Sequence, residues 1–451
     1  MKNKNALLIT TILTLLVALT TSKGFAEEVT TPDNTIEQKK AGKQGYRASK
    51  KVPAMRNRVY SQLARAQKLA DEGDKIGGFA VLNAVEDRLD SLNSYERAML
   101  FNFYAFIYYG NDDVEIATDY FIQVIDEIAI PDSLALSTLY SLTQLSMQQQ
   151  NYTEALNYLT LWRNLNTAKL TGNQEMLFAQ IYYQDKDFIN SLKHIELAIN
   201  LVEANNEQPK ENWLTLQRAT YYELKQPKQV TKVMEKLVRL YDKPQYWLQL
   251  SSMYGEIGEE DKQMAVMEAA YQANYISNAS DIITLSQLYL FHGAPYKSAA
   301  VLKSGIDQGT IFADEDNLNR LARAYLTAKE DDKAIHVLIQ VSDIAQTGEY
   351  DALLAQTYLN TQQWTAAIKA SKVALTRYST EDNKKKDTVK DRANMNLIIG
   401  MSHFNLKNFD LSLIAFNKAS KFVSTKKTAL QWGKYVEREQ KNYKTQLSML
   451  N

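Results

Sequence analysis

Residues 353–375 read LLAQTYLNTQQWTAAIKASKVAL, and this stretch decides the fold. Its small residue Ala355 is followed by Tyr358 three positions later and by a second small residue, Ala367, twelve positions later. Residues three apart share one face of an α-helix. The pattern predicts two antiparallel helices that cross closely at Ala355 and Ala367, with the Tyr358 ring filling the wedge towards the neighbouring helix pair.

The same pattern of a small residue and then an aromatic one recurs in nine segments. The small positions are Ala105, Thr143, Ala179, Ala219, Ser251, Ser286, Ala322, Ala355 and Gly400. Three positions later stand Tyr108, Ser146, Tyr182, Tyr222, Tyr254, Tyr289, Tyr325, Tyr358 and His403. Seven of these nine are tyrosine, which chance placement of 27 tyrosines in 451 residues does not produce. Successive small positions are 32 to 45 residues apart, and the longest interval holds a polar insertion at residues 381–387.

The second small position, twelve residues on, is also repeated. It is occupied by Ala117, Ala155, Ser191, Ala334, Ala367 and Ser412, approximated by Thr231 and Ser298, and not met by Gln263. A weaker first unit fits residues 59–88, with Ala66 and Gly78 in register. Over residues 98–422 this order of positions resembles the tetratricopeptide repeat. The resemblance implies an all-α protein: an α-solenoid, in the form of a right-handed superhelix, built from about ten helical hairpins.

The repeat fixes the expected organisation of the chain. Single helices of 12 to 15 residues are marginal in water, and stacking neighbouring hairpins buries the faces that one hairpin leaves wet. We expect the solenoid to occupy residues 59–426. Residues 427–451 contain many charged residues and a few apolar ones, which favours a C-terminal helix that caps the solenoid. The alternative is a helix that is detached from the solenoid and binds a partner.

Composition excludes several classes of protein. Gly (16) and Pro (7) together are about half as frequent as usual, which leaves few turns for a β-sandwich or β-barrel. The absence of Cys excludes a disulfide-stapled domain and a thiolate metal site. The 52 Lys and Arg balance 52 Asp and Glu, so the net charge is zero. The charge therefore gives no reason to expect a nucleic-acid partner.

The first 26 residues have the pattern of an export signal. Lys2 and Lys4 precede an uncharged run of 16 residues at positions 6–21, and Gly24-Phe25-Ala26 places small residues at −3 and −1 of a cleavage site. We therefore expect a signal peptide at 1–26, cleavage after Ala26 and a periplasmic location. Retention of the segment as an N-terminal anchor is the alternative, although 16 residues are fewer than the roughly 20 that span a bilayer.

A basic segment follows the signal. No acidic residue lies between Glu37 and Asp71, whereas ten Lys and Arg residues do. We interpret residues 27–58 as a basic flexible linker. The alternative is an electrostatic contact with an anionic surface, either lipid headgroups, which would make a peripheral membrane contact, or an acidic partner.

No pattern of a catalytic, cofactor or metal site is found. His194, His292, His336 and His403 lie outside any H-E-x-x-H motif, and no Cys could join them as a ligand. The chain has no G-x-S-x-G elbow, Walker loop or dinucleotide fingerprint. We predict a protein that is not an enzyme and carries no cofactor or metal.

Function is instead expected along a groove lined by the first helix of each hairpin. Positions one and four after the small residue face that groove, and they combine amides and aromatics with few charges. Such a groove suits an extended or helical peptide, although each side chain could equally just complete the local surface. The candidate peptide groove comprises Phe106, Tyr109, Gln180, Tyr183, Gln287, Arg323 and Gln356, with Glu223 and Phe404 at equivalent positions.

A narrower resemblance concerns residues 237–271, LVRLYDKPQYWLQLSSMYGEIGEEDKQMAVMEAAY. This stretch, the export signal and the repeat array are similar to exported tetratricopeptide proteins of gamma-proteobacteria that serve the TonB system. The resemblance implies a periplasmic scaffold that binds TonB, ExbB, ExbD or a receptor they energise for uptake of iron chelates. The alternative is an adaptor in cell-envelope assembly or polysaccharide export.

Overall fold

The computed structural model describes residues 51–380 and 386–450, and these residues form α-helices joined by short turns, with no strand among them. The predicted all-α fold is confirmed: helices pair into ten consecutive antiparallel hairpins followed by one last helix. The predicted signal peptide, most of the predicted linker and residues 381–385 of the polar insertion lie outside the described residues. Within the described ranges, no helix combines the length and apolarity needed to cross a membrane.

Contacts divide the chain into two compact units, one up to Val233 and the other from Met234. The first unit contains four complete hairpins and most of a fifth. Its helices are α1 (Asn57–Asp71), α2 (Lys75–Glu86), α3 (Ser94–Tyr109), α4 (Val114–Asp126), α5 (Asp132–Gln148), α6 (Tyr152–Leu165), α7 (Gly172–Gln184), α8 (Phe188–Ala204), α9 (Glu211–Glu223) and the first part of α10 (Pro227–Tyr241).

The second unit contains the rest of α10, five hairpins and the last helix. Its helices are α11 (Pro244–Glu256), α12 (Glu260–Gln272), α13 (Ala279–Phe291), α14 (Pro295–Asp307), α15 (Glu315–Thr327), α16 (Asp331–Ala345), α17 (Gly348–Asn360), α18 (Trp364–Thr380), α19 (Lys386–Asn405), α20 (Phe409–Ser420) and α21 (Lys426–Leu450).

Small residues lie where the two helices of a hairpin cross. Ala355 and Ala367 are both fully buried, as the pattern predicts. Where the small residue is serine, its hydroxyl is satisfied across the crossing: Ser191 donates to the carbonyl oxygen of Ala179 at 2.9 Å. At Gly400 there is no room for a side chain, because a Cβ there would lie 2.8 Å from the Phe416 ring. Small size and satisfied hydroxyls together permit this close packing.

Each hairpin turn is closed by the same main-chain geometry. The carbonyl oxygen of the residue in the aromatic position accepts a hydrogen bond, 2.7 to 3.0 Å long, from the amide five residues later. The residue between them, four after the aromatic position, has positive φ, as in a Schellman motif. These corner residues are Gly73, Asp112, Gln150, Lys186, Lys225, Gly258, Gly293, Lys329, Gln362 and Lys407. Seven of the ten are not glycine, which explains how the chain turns so often with so few glycines.

We expect Lys329→Gly to raise the free energy of unfolding by about 0.5 to 1 kcal/mol, because Lys329 has a φ of 60° that glycine adopts without steric penalty. The gain is limited by the extra freedom of glycine in the unfolded chain. Chemical denaturation of the full chain measures it. The reverse change Gly293→Ala, at a φ of 70°, is the control and should destabilise; loss of stability in both variants would contradict this account of the corners.

The fifth hairpin corrects the predicted register by one residue. Its corner is Lys225, and the carbonyl that accepts from the amide five residues later belongs to Tyr221. Tyr222, which the sequence pattern places in the buried aromatic position, is 67% exposed instead. The adjacent Tyr221 and Tyr222 make the register ambiguous in the sequence. The small residue Ala219 lies three positions before Tyr222, whereas Arg218 lies three positions before Tyr221, so the pattern favours Tyr222. The position that the sequence pattern assigns to the groove in this hairpin is therefore occupied by Tyr222 and not by Glu223.

At two junctions, successive hairpins are joined by a hydrogen bond between a tyrosine and a glutamate. The hydroxyl of Tyr221 donates to Glu196 at 3.0 Å, and that of Tyr254 donates to Glu235 at 2.7 Å. In each pair the glutamate lies on the second helix of the preceding hairpin. Burial, together with the neighbouring glutamate, raises the pKa of Tyr254 to about 12. The aromatic position thus supplies a hydrogen bond between hairpins in addition to buried area.

The end of the predicted flexible linker is packed against the first unit. The Arg56 guanidinium donates two hydrogen bonds to the Glu96 carboxylate, at 2.8 and 2.6 Å, and the Arg56 amide adds a third at 2.8 Å. Glu96 is fully buried, and the hydrogen bonds from Arg56 lower the pKa of Glu96 to about 2. The prediction of a flexible segment up to residue 58 is therefore wrong at its end, since residues 57 and 58 already belong to α1.

The last helix, α21, packs against the final hairpin. Ala429, Trp432 and Val436 line its inner face and join a core cluster with Phe416. The Trp432 and Phe416 rings are stacked, 5.7 Å apart. α21 covers apolar surface that α20 would otherwise leave exposed, and its opposite face is polar and exposed.

Candidate protein-binding surface

Two of the predicted groove residues in the first unit are mainly structural. Phe106 and Tyr109, on α3, are half-buried and pack against a core cluster that includes Phe121. The Phe106 ring meets the Phe121 ring edge-on at 5.3 Å. Burial raises the pKa of the Tyr109 hydroxyl, with the nearby Asp112 carboxylate adding to the shift. These two aromatic side chains therefore contribute to the core as well as to the surface.

The other two predicted residues of this unit lie on α7. Gln180 and Tyr183 are both half-buried. The Tyr183 ring meets the Phe188 ring at 5.4 Å, and burial raises the pKa of Tyr183, with a further contribution from Glu223 on α9. Tyr183 and Glu223 are therefore close in space, although the sequence separates them by 40 positions.

The predicted residues of the second unit are exposed. Gln287, Arg323 and Gln356 lie on α13, α15 and α17, the first helices of three consecutive hairpins. All three are one position after the buried small residue, so the repeat places them equivalently. Here the sequence pattern and the structure agree that polar side chains face solvent.

Arg323 connects two of these helices. Its guanidinium donates to Asn319 one turn earlier at 2.8 Å and to Glu349 on α17 at 3.1 Å. On α17, the side-chain amide of Gln356 donates a hydrogen bond to the side-chain oxygen of Asn360 at 2.9 Å. Both partners of Arg323 are exposed or half-exposed, so water and a ligand can compete for these bonds.

Sequence reasoning missed part of this surface. Phe291 is 68% exposed and lies one turn after Gln287 on the same face of α13. It lies five positions after the small residue, a position that the repeat pattern does not assign to the groove, and Asn360 occupies the same position on α17. We call the exposed residues Gln287, Phe291, Arg323, Gln356 and Asn360 the amide face.

The chemistry of the amide face suits recognition of a main chain. Carboxamides both donate and accept hydrogen bonds, and a guanidinium donates five. Extended peptides present alternating amides and carbonyls for such partners, and an exposed phenyl ring offers an apolar anchor. The face has no strong charge of either sign, because Glu349 lies beside Arg323.

Two of the four histidines, His194 and His403, pack against neighbouring side chains, whereas His336 is exposed. His194 Nδ1 lies 2.6 Å from the Glu175 carboxylate, both side chains are buried, and the Phe178 and Tyr182 rings stack on the imidazole. This pair was missed because the two residues lie on different helices. His403 occupies the aromatic position, and burial lowers its pKa. Among the described residues no group of His, Asp and Glu is arranged to hold a metal ion.

Comparisons with known proteins found solved structures only. No family model and no curated protein matches this chain. The chain is similar to YrrB, a TPR protein with an unusual peptide-binding site, at 12% identity and a TM-score of 0.34. It is also similar to the TPR2AB domain of yeast Sti1 in complex with pHSP90, at 11% and 0.33, and to the C-terminal part of a TPR repeat-containing protein of Cytophaga hutchinsonii, at 15% and 0.34. These matches cover 45, 60 and 56% of this chain and 99, 99 and 98% of the other chains.

Proposed function

We propose that this chain is a periplasmic scaffold that binds a protein partner through the amide face. We further propose that the partner belongs to the TonB–ExbB–ExbD system for nutrient uptake. The observation that carries the binding role is the equivalent placement of Gln287, Arg323 and Gln356, exposed on consecutive first helices of rigidly packed hairpins. Rigid presentation reduces the entropy lost when a peptide binds.

The periplasmic location and the TonB system rest on the sequence. The N-terminal segment has the charge and apolar pattern of an export signal, and residues 237–271 resemble exported tetratricopeptide components of that system. An exported protein without cysteine folds without an oxidising partner, which is compatible with that compartment.

Photo-crosslinking in intact cells tests the binding role. A photoreactive phenylalanine analogue is placed at Gln356, or in a second strain at Gln287, and the partner is identified by mass spectrometry. The exposed Lys193 on α8 is the control position. We expect one partner to be captured from both amide-face positions and not from Lys193. Equal capture from all three positions would contradict the assignment of the face.

The identity of the partner decides between the two systems. Capture of TonB, ExbB, ExbD or one of their receptors supports the uptake role. Capture of envelope-assembly or polysaccharide-export proteins alone would favour the alternative adaptor role. For the uptake role we also expect deletion to slow growth on chelated iron more than on free iron, and replacement of Gln287, Arg323 and Gln356 by Ala to reproduce that difference. Alanine at exposed Thr153, Asn157 and Lys193 is the matched control.

A further inference from the structure

The outer face of α21 is cationic. Opposite the buried Val436, the helix exposes Lys427, Lys434, Arg438 and Lys441. Leu430, 52% exposed, lies between the first two. No acidic residue occurs between Asp410 and Glu437. In the part of the chain that the structure describes, no ion pair is found for these three lysines, whereas Arg438 pairs with Glu439 at 3.3 Å and lies 5.0 Å from the centre of the Tyr435 ring. The exposed Glu437 borders this face between Lys434 and Lys441.

The outer face of α4 has the opposite charge. Between Arg97 and Arg163 the chain has eight Asp and Glu and no Lys or Arg. On α4 the inner face is set by buried Ala117, Phe121 and Val124, so Glu115, Asp119 and Asp126 lie together on the outer face, and all three are exposed. Asp112 is exposed just before the helix, and Ile116, 42% exposed, borders these carboxylates.

The two faces match in spacing. Along α21, Lys427, Lys434 and Arg438 are separated by seven and four residues. Along α4 read in reverse, Asp126, Asp119 and Glu115 are separated by the same seven and four. Continuing three residues further in each direction reaches Lys441 and Asp112. One antiparallel register therefore places three cations opposite three carboxylates along about 17 Å of helix, with Lys441 near the corner residue Asp112 just beyond the end of α4.

We propose that α21 of one copy of this chain docks antiparallel on the outer face of α4 of a second copy. Both complementary faces belong to this chain, so any two copies can associate. The contact joins two different surfaces, which makes it heterologous and allows further copies to add in series. Exposed ion pairs contribute little individually, so the association is weak and sensitive to salt.

Sedimentation of the full chain tests the charges. At low ionic strength we expect an average mass that rises with concentration above the 51.4 kDa of one chain, and a return to one chain at about 0.5 M salt. The variant Lys434→Glu with Arg438→Glu should associate about tenfold more weakly, as should Glu115→Lys with Asp119→Lys. A chain with all four changes should recover association, because the register is again complementary. The control Lys193→Glu with Lys228→Glu, of the same charge, should behave as the wild type.

The absence of cysteine allows a direct test of the register. Two differently tagged chains, one with Asp119→Cys and one with Lys434→Cys, should form a mixed cross-link with a short bis-maleimide. The control replaces Lys434→Cys by Thr428→Cys, which is exposed on another face of α21. The proposal would be overturned if Asp119→Cys cross-linked equally well to Lys434→Cys and to Thr428→Cys. It would also be overturned if the chain stayed monomeric at low salt, or if the variant with all four charge changes did not recover association.

Discussion

Replacing Tyr325 by Ala is expected to lower the free energy of unfolding by about 3 kcal/mol, the range for losing a buried aromatic side chain. Tyr325 is 7% exposed and belongs to the core cluster of the second unit. It holds the aromatic position of the eighth hairpin, where its carbonyl accepts from the Glu330 amide at 2.9 Å. Removing the ring leaves a cavity between two hairpins that the rigid crossings prevent from collapsing.

The matched control is Tyr222→Ala, a change of the same size at an exposed tyrosine, which should cost less than about 0.5 kcal/mol. Its neighbour Tyr221 is half-buried in the aromatic position, so Tyr221→Ala should cost more than Tyr222→Ala and less than Tyr325→Ala. Denaturant unfolding of the full chain gives the stabilities, and native-state hydrogen exchange shows whether the eighth hairpin opens first. A larger effect at Tyr222 than at Tyr221 would show that the corrected register is wrong.

Replacing Arg377 by Met should destabilise the second unit by about 3 to 5 kcal/mol. The Asp351 carboxylate is 4% exposed and accepts from the Arg377 guanidinium at 2.6 Å and from the Ser342 hydroxyl at 2.7 Å. Burial raises the pKa of Asp351, while hydrogen bonds from Ser342 and Arg377 oppose that shift. Without the guanidinium, a charge would remain buried with one neutral donor, so the carboxylate would have to take up a proton or the site would open.

Two comparisons isolate the buried charge. Arg323→Met breaks an exposed ion pair with Glu349 and should change the stability by less than about 0.5 kcal/mol. Adding Asp351→Asn to Arg377→Met should restore at least about 1 kcal/mol, since the amide needs no counter-charge. Equal losses for Arg323→Met and Arg377→Met, measured by urea denaturation at neutral pH, would mean that burial of Asp351 does not matter.

Periodicity predicted most of the fold because the same packing problem recurs. A small residue such as Ala355 or Ala322 recurs where the two helices of most hairpins cross closely, so it leaves a regular signal in the sequence. The turns left no such signal, because main-chain hydrogen bonds set their shape and residues such as Lys329 tolerate it. Where two tyrosines adjoin, at Tyr221 and Tyr222, the pattern could not fix the register, and only the turn geometry did.

The candidate surface was predictable only in part. Gln287, Arg323 and Gln356, which the position in the repeat assigns to the groove, are exposed, and their role in binding stays a prediction. The same rule did not show that Phe106 and Tyr109 pack into the core, because burial there depends on Phe121 and other residues of neighbouring helices. Partners such as Glu349 for Arg323, or Glu175 for His194, come from helices distant in sequence, and no local pattern indicates them.

The corners of the hairpins also have an experimental use. Seven of the ten corners already carry ordinary side chains at positive φ, so these seven should accept a different side chain without a change of main-chain shape. Because the chain has no cysteine, a single cysteine introduced at one of these corners would be the one site for a fluorescent or spin label. Distances between pairs of labels within one unit would then measure how far neighbouring hairpins separate when the chain is stretched.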